Sequence, residues 1–217
     1  MKIENVKACV FDAYGTLFDV NSAAAKCKEK LGSKWEGFAN AWRTTQLEYT
    51  WLRSLMKKHK NFWKITEESL DHTMETFKIK KEMRNELLDL YKKLSTYSEV
   101  KKCLEGLKTK KIKIAILSNG TPDLLKELVE SNNIQNYFDD IFSIESVGIY
   151  KPDSKVYEMP VKKYDCKPNN ICFLSSNTWD VSGGGIFGYN AVWVNRFSKV
   201  FDKLSYKPKF VINNLKE

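Results

Sequence analysis

Residues 6–20, VKACVFDAYGTLFDV, set a short apolar run, Ala8-Cys9-Val10-Phe11, directly against a carboxylate, Asp12. Four apolar residues bounded by a polar one and soon followed by Gly15 read as a buried strand that stops at Asp12. An Asp in that position is, taken alone, most often a turn former or a helix cap. The alternative is a reactive group delivered to the edge of a sheet, and the rest of the chain decides between them. Tyr14, two places on, is the second residue to explain.

From residue 98 onward, helical patterns alternate with apolar strands, the signature of a parallel sheet. Val100, Cys103, Leu104 and Leu107 form one helical stripe, and KIKIAILSNG then gives a strand ending at Ser118 with a turn at Gly120. A second stripe of Leu124, Leu125, Leu128 and Val129 leads to a strand near residues 141–144. A helix to about Tyr164, a strand in NNICFLSSNTWD ending at Ser175 and another in NAVWVNR complete the series. Between the first strand and residue 93 the pattern is helical instead. Phe38, Trp42, Tyr49, Leu52 and Met56 recur at the spacing of one helix face. Shorter helices are expected over residues 22–31, over 67–77 opened by Thr66, and over 81–94. The class is therefore α/β, a Rossmann-like parallel sheet flanked by helices, with a helical unit inserted after the first strand. Gly183, Gly184 and Gly185 interrupt the helix after the third clear strand, which is expected to be loose or to begin late.

The length of 217 residues and the 42% hydrophobic and 29% charged content suit a core domain carrying a smaller inserted one. No apolar run approaches the roughly 18 to 20 residues that cross a bilayer. The first residues lead straight into the strand with no apolar leader pattern, so a cytoplasmic location is expected. Cys9, Cys27, Cys103, Cys166 and Cys172 are odd in number and scattered, which reads as reduced thiols. The net charge of +9 is carried by lysines spread in ones and twos with no aromatic-interleaved basic stretch. Neither nucleic acid nor membrane is therefore an expected partner. Arginine is scarcer: only Arg43, Arg53, Arg84 and Arg196 occur, and each carries more weight than a lysine pair.

Ligands of an open parallel sheet gather outside the carboxyl ends of the strands. Asp12 stands at one such end, Ser118 and Asn119 at a second, and Ser175, Asn177 and Asp180 at or just beyond a third. Lys151 lies in a loop beside them, before Pro152. One carboxylate, one ammonium and a ring of short polar side chains on one edge point to a site. A carboxylate there can act as a nucleophile that forms a covalent ester or acyl phosphate. A nearby ammonium keeps it ionised and aimed.

In that order and across almost the whole chain, FDAYGTLFD, Ser118-Asn119-Gly120, Lys151-Pro152-Asp153 and LSSNTWD resemble the four motifs of the haloacid dehalogenase superfamily. The resemblance implies a catalytic core of residues 1–18 and 97–217 and a helical cap of residues 19–96. Phosphatases of that superfamily resemble D-x-D at the first motif, the second carboxylate protonating the leaving group. Here the second position is Tyr14, and the last motif holds Ser175 and Asn177 before the single Asp180. So few carboxylates offer a hard cation little, and no metal or other cofactor is expected. A halide departs as a weakly basic anion that needs no proton, so Tyr14 suits carbon–halogen cleavage.

The full pattern looks like the L-2-haloacid dehalogenase branch. WRTTQLEYTWLR, with Arg43 and Leu47, resembles the cap helix whose arginine accepts the departing halide. Phe62 and Trp179 resemble aromatic walls, and Tyr157 matches a tyrosine that helps hold the nucleophile and lysine. The resemblance then implies that Asp12 attacks C2 of an (S)-2-haloalkanoate with inversion and that Arg43, with Asn177 or Trp179, stabilises the halide. Ser118 and main-chain N–H groups near Tyr14, Ser118 and Asn119 would hold the substrate carboxylate. Asp180, Ser175, Asn177 and Lys151 would orient the water that releases an (R)-2-hydroxy acid. The expected partners are a small 2-haloacid, the halide ion and a second copy of the chain in a homodimer. The competing expectations are a phosphatase of the same superfamily and a non-catalytic binding module.

Overall fold

The computed structural model describes residues 3–110 and 112–217. Six parallel strands form one sheet in the order β3-β2-β1-β4-β5-β6. They are β1 (Ala8–Phe11), β2 (Lys113–Ser118), β3 (Asp140–Ser143), β4 (Ile171–Ser175), β5 (Asn190–Val194) and β6 (Phe210–Ile212). β1 lies between β2 and β4, with Phe11 opposite both Ile116 and Leu174. Its four residues are buried, which explains why the run is apolar without alternation. The order reverses at β1, so the crevice at its carboxyl end is where side chains from several loops meet. β6 escaped the sequence reading because three residues in a lysine- and asparagine-rich tail carry no period of their own.

Among the described residues, five α-helices stand between β1 and the return crossing at residues 95–97: α1 (Ser22–Lys26), α2 (Lys28–Leu31), α3 (Trp35–Leu55), α4 (Phe62–Phe77) and α5 (Met83–Tyr91). The chain leaves and re-enters the sheet through two adjacent crossings. Asp19 N–H donates to Ser95 O at 2.9 Å and Tyr97 N–H to Leu17 O at 3.1 Å, and Phe18 and Thr96 form an antiparallel bridge. The remaining helices, α6 (Val100–Thr109), α7 (Pro122–Ser131), α8 (Ser154–Tyr164) and α9 (Thr178–Phe187), flank the sheet. No described helix is long and apolar enough to cross a membrane.

Four local expectations are corrected. α4 begins at Phe62, not near Thr66, because Asn61 is the cap, its Oδ1 accepting from Lys64 N–H at 2.8 Å. Thr66 instead returns its hydroxyl to Phe62 O at 2.8 Å inside the helix. The expected helix over residues 22–31 is broken at Cys27 into α1 and α2. The buried stripe of α3 is Phe38, Ala39, Trp42, Gln46 and Thr50, whereas Leu52 and Met56 are exposed. Polar Gln46 and Thr50 replace apolar residues on the inner face, so hydrophobicity alone tracks the wrong line in the second half.

The fourth concerns α9, which starts promptly at Thr178 and passes through all three glycines. A Cβ at Gly183 would meet Pro152 Cβ at 2.7 Å, and one at Gly184 would meet Phe173 Cδ1 at 2.8 Å. The glycines let α9 press against the loop after Lys151 and against β4, at the cost in helix propensity that suggested a loose helix.

Candidate active site

Asp12 is the first residue past β1 and its N–H still donates to Leu174 O at 3.0 Å, so the sheet itself fixes its backbone. The residue is only 5% exposed. Its two oxygens are held differently. Oδ2 accepts from Asn177 Nδ2 at 2.8 Å and Thr16 Oγ1 at 3.1 Å, with Ser175 Oγ at 3.5 Å. Among the described residues, Oδ1 accepts from Lys151 Nζ alone, at 3.2 Å.

Lys151, wholly buried, reaches from the loop after β3 and lies between Asp12 and Asp180, with Asp180 Oδ2 at 2.9 Å. Asn119 Oδ1 steadies the loop by accepting Lys151 N–H at 3.2 Å, next to the cis Lys151–Pro152 bond. Burial pulls the Lys151 ammonium down, but the charges of Asp12 and Asp180 outweigh it and leave its pKa raised. Asp180 occupies the first turn of α9, and Tyr157 donates to its Oδ1 at 2.8 Å. Burial pushes the Asp180 carboxyl up to about 6, against the opposing pull of Lys151. Among the described residues no group of three His, Cys, Asp or Glu side chains gathers at spacing suited to a metal.

Tyr14 takes the place where a second carboxylate would stand. Its ring packs on Phe62 at 5.1 Å and Tyr91 at 5.8 Å, and its buried hydroxyl has no hydrogen-bond partner among the described residues. Burial drives its pKa well above the phenol value, with Tyr91 and Asp12 adding to the shift and Arg43 opposing it. It is therefore a neutral, apolar-packed group near neutral pH. Gly120 lies against it, since a Cβ there would stand 2.8 Å from the hydroxyl.

Across from this corner, α3 contributes Arg43 and Leu47 to a cavity of about 540 Å³, which Gly15, Asn177 and Trp179 also line. Among the described residues, the one hydrogen bond of Arg43 runs from Nη1 to Gln46 Oε1 at 2.9 Å. Buried Gln46 is fixed in turn by donating to Thr66 Oγ1 at 2.7 Å and to Tyr91 at 3.0 Å. A weakly hydrated cation with spare donors facing a cavity is a receptor for an anion.

The structure thus brings Asp12, Lys151, Asp180, Ser175 and Asn177 into one buried network, and Arg43, Leu47, Asn177 and Trp179 onto one cavity. Ser118 ends β2 with its hydroxyl accepting Gly120 N–H at 3.0 Å. Phe62, expected as a cavity wall, is fully buried behind Tyr14, and Tyr157 lies beneath Asp180 without a hydrogen bond to Asp12. Tyr157 therefore reaches Lys151 and Asp12 only through Asp180, and none of Tyr14, Phe62, Ser118, Asn119 and Tyr157 lines this cavity. Thr16 was missed. Its only signal was a hydroxyl four residues past the carboxylate in a glycine-containing turn, a spacing that turns supply for many reasons.

The profile of the haloacid dehalogenase-like hydrolase family matches residues 6–188. The (S)-2-haloacid dehalogenase 1 of Pseudomonas sp. (strain CBS-3) is 41% identical over 199 residues, 91% of this chain and 88% of that protein. A solved dehalogenase superposes with a TM-score of 0.97 at 35% identity, covering 99% of this chain and 96% of that one. The L-2-haloacid dehalogenase of Xanthobacter autotrophicus, solved with chloropropionic acid covalently bound, superposes with a TM-score of 0.90 at 31% identity, over 97% and 95% of the two chains. With a buried carboxylate at the end of β1, the buried lysine and the arginine-lined cavity all in place, the chain belongs to the haloacid dehalogenase-like hydrolases and, among them, to the L-2-haloacid dehalogenase branch.

Proposed function

We propose that this protein hydrolyses (S)-2-haloalkanoic acids to (R)-2-hydroxy acids through a covalent ester on Asp12. The observation that carries the reading is the pairing of a buried carboxylate, bridged by Lys151 and lacking a second carboxylate at Tyr14, with Arg43 on the adjoining cavity. Oδ1, with a single partner, has lone pairs free to attack, while Oδ2 is held by its donors. Oδ1 displaces the halogen at C2 from the opposite side. The carbon–halogen electron pair leaves as halide towards Arg43, with Asn177 and Trp179 beside it, and C2 inverts. The Ser118 hydroxyl and the N–H groups at Tyr14 and Asn119 hold the substrate carboxylate.

Water then attacks Cγ of the ester, oriented by Asp180, Ser175, Asn177 and Lys151. The tetrahedral intermediate expels the product alkoxide, which takes up a proton, and Asp12 is restored. A carboxylate with a pKa near 6 is suited to accept the proton of that water at neutral pH. Assays on 2-chloropropionate and an aryl phosphate, each with magnesium or EDTA, test the function. Halide release indifferent to EDTA is expected, and metal-dependent phosphate release without halide release would overturn it.

The raised Asp180 gives a pH signature of two opposite signs. Its folded pKa of about 6 exceeds the roughly 3.9 of an unfolded Asp. Its contribution to stability is therefore present below about pH 4 and lost as pH rises through about 6. Ester hydrolysis needs the ionised form, so its rate, read as kcat where that step limits turnover, should fall about tenfold per pH unit below that pKa while the fold tightens. A profile flat down to about pH 4.5 would contradict the role given to Asp180.

The same proposal includes the division into a core of residues 1–18 and 97–217 and a cap of 19–96, a cytoplasmic location and a homodimer. The two crossings beside Phe18 and Thr96 support the division, which hydrogen exchange would contradict if residues 19–96 opened only together with the sheet. Leu52, Leu55 and Met56, exposed at the end of α3, support pairing of two copies through the cap. Leu55→Glu should shift the sedimentation coefficient to that of a monomer; a wild-type monomer would contradict the dimer.

A further inference from the structure

Arg196 and Arg43 line the same cavity but are bonded in opposite ways. Arg196 follows β5 at the carboxyl edge of the sheet and its side chain is 7% exposed. Nη1 is paired with Glu99, which stands at the N-terminal cap position of α6 and is itself 7% exposed. Nη2 donates to Thr16 O at 2.7 Å. The guanidinium plane lies on Tyr97, with Cζ 3.9 Å from the ring centroid. Each terminal nitrogen and the planar face have a protein partner, whereas Nε is buried with none among the described residues.

Its partners form a pattern. Thr16 belongs to the outgoing crossing and to the turn just past Asp12. Tyr97 belongs to the returning crossing, where its N–H donates to Leu17 O, and Glu99 begins the core again while also accepting Leu215 N–H at 3.5 Å. One planar cation therefore ties both crossings and the chain's last segment together. The tie continues to the reacting atoms. The carbonyl of Thr16 is on Arg196, its Oγ1 accepts Ser176 N–H at 2.8 Å, and its hydroxyl donates to Asp12 Oδ2 at 3.1 Å.

We propose that Arg196 is a positioning residue for the nucleophile, setting the Asp12 carboxylate through Thr16 while clamping the two cap crossings. The proposal rests on Asp12 being the nucleophile. A buried ion pair seldom adds net stability, so stability alone gives little reason for one here, whereas fixed geometry does. Lysine cannot substitute, because it lacks the planar face for Tyr97 and the second donor for Thr16 once its ammonium is paired with Glu99. Misplacement of a reacting group by about 1 Å costs on the order of 100-fold.

The test is a double-variant cycle on the rate of the halide-release burst, which reports ester formation. Arg196→Lys, which retains the charge for Glu99, should slow the burst about 10-fold to 100-fold, with the substrate concentration that half-saturates the burst rate changed less than about 3-fold. Thr16→Val should slow it similarly, and the pair together should be no slower than Thr16→Val alone, since Arg196 acts through that residue. Fully additive losses, or an unchanged burst in Arg196→Lys, would overturn the proposal. Label from 18O water failing to enter Asp12 of the wild-type enzyme would instead sink the nucleophile assignment, which separates the two failures.

Discussion

Asp12→Asn is expected to reduce halide release by at least about 10⁴-fold in a protein that still folds, with a lowered melting temperature because the amide NH2 replaces an anionic oxygen beside the buried Lys151 ammonium. The amide matches the carboxylate in shape, so the donors from Thr16 and Asn177 still find an oxygen at the Oδ2 position. What is lost is the anionic oxygen beside Lys151, and with it the attack on C2. No other carboxylate is placed to take over. Asp180 has 0% exposure and both of its oxygens are engaged, by Lys151 and by Tyr157. Direct displacement by water would leave a much larger residual rate. Steady-state halide release checks the difference, with mass spectrometry confirming that the substituted amide has not reverted to a carboxylate.

Lys151→Met should be harmful in a different way. It retains much of the aliphatic stem but removes the cation from over the Phe173 ring and from between two carboxylates. Breaking a buried pair by deleting one partner costs about 3–5 kcal/mol, because the remaining charge is left without compensation. Here the charge of Asp12 also adds to the burial that raises the Asp180 carboxyl, so Asp180 favours its protonated form. The variant should therefore be destabilised by that amount at about pH 7, regain stability as the pH is lowered towards about 5, and be inactive throughout. Urea unfolding at the two pH values measures this. Wild-type stability at neutral pH would show that the ammonium is not the counter-charge of the pair.

Much of this network is legible in the sequence. The carboxyl-end rule needs only the strands and the residues just past them, and β1, β2 and β4 are marked by apolar runs ending at Asp12, Ser118 and Ser175. Lys151 could be placed with them because a proline comes next and a helix starts at Ser154, which makes its segment a loop at the same edge. The inner face of α3 was only half legible, since Gln46 and Thr50 are buried polar residues, and Gln46 is satisfied by partners distant in sequence. Thr16, Arg196 and the contact of Tyr157 with Asp180 were hidden for the same reason. Their importance lies in hydrogen bonds spanning separations of 180 residues for Arg196–Thr16 and 23 for Tyr157–Asp180, and no local period encodes such a contact. The glycines of α9 misled because helix propensity favours larger residues, whereas close packing on Pro152 and Phe173 leaves no room for a side chain.

A single turnover in 18O water, with excess enzyme over (S)-2-chloropropionate, tests the ester route most directly. Attack of Asp12 on C2 followed by water on Cγ predicts one heavy oxygen in the peptide containing Asp12 and an unlabelled hydroxyl in the (R)-lactate. Heavy oxygen in the lactate hydroxyl with none in that peptide would contradict the covalent route and, with it, the role assigned to Asp12.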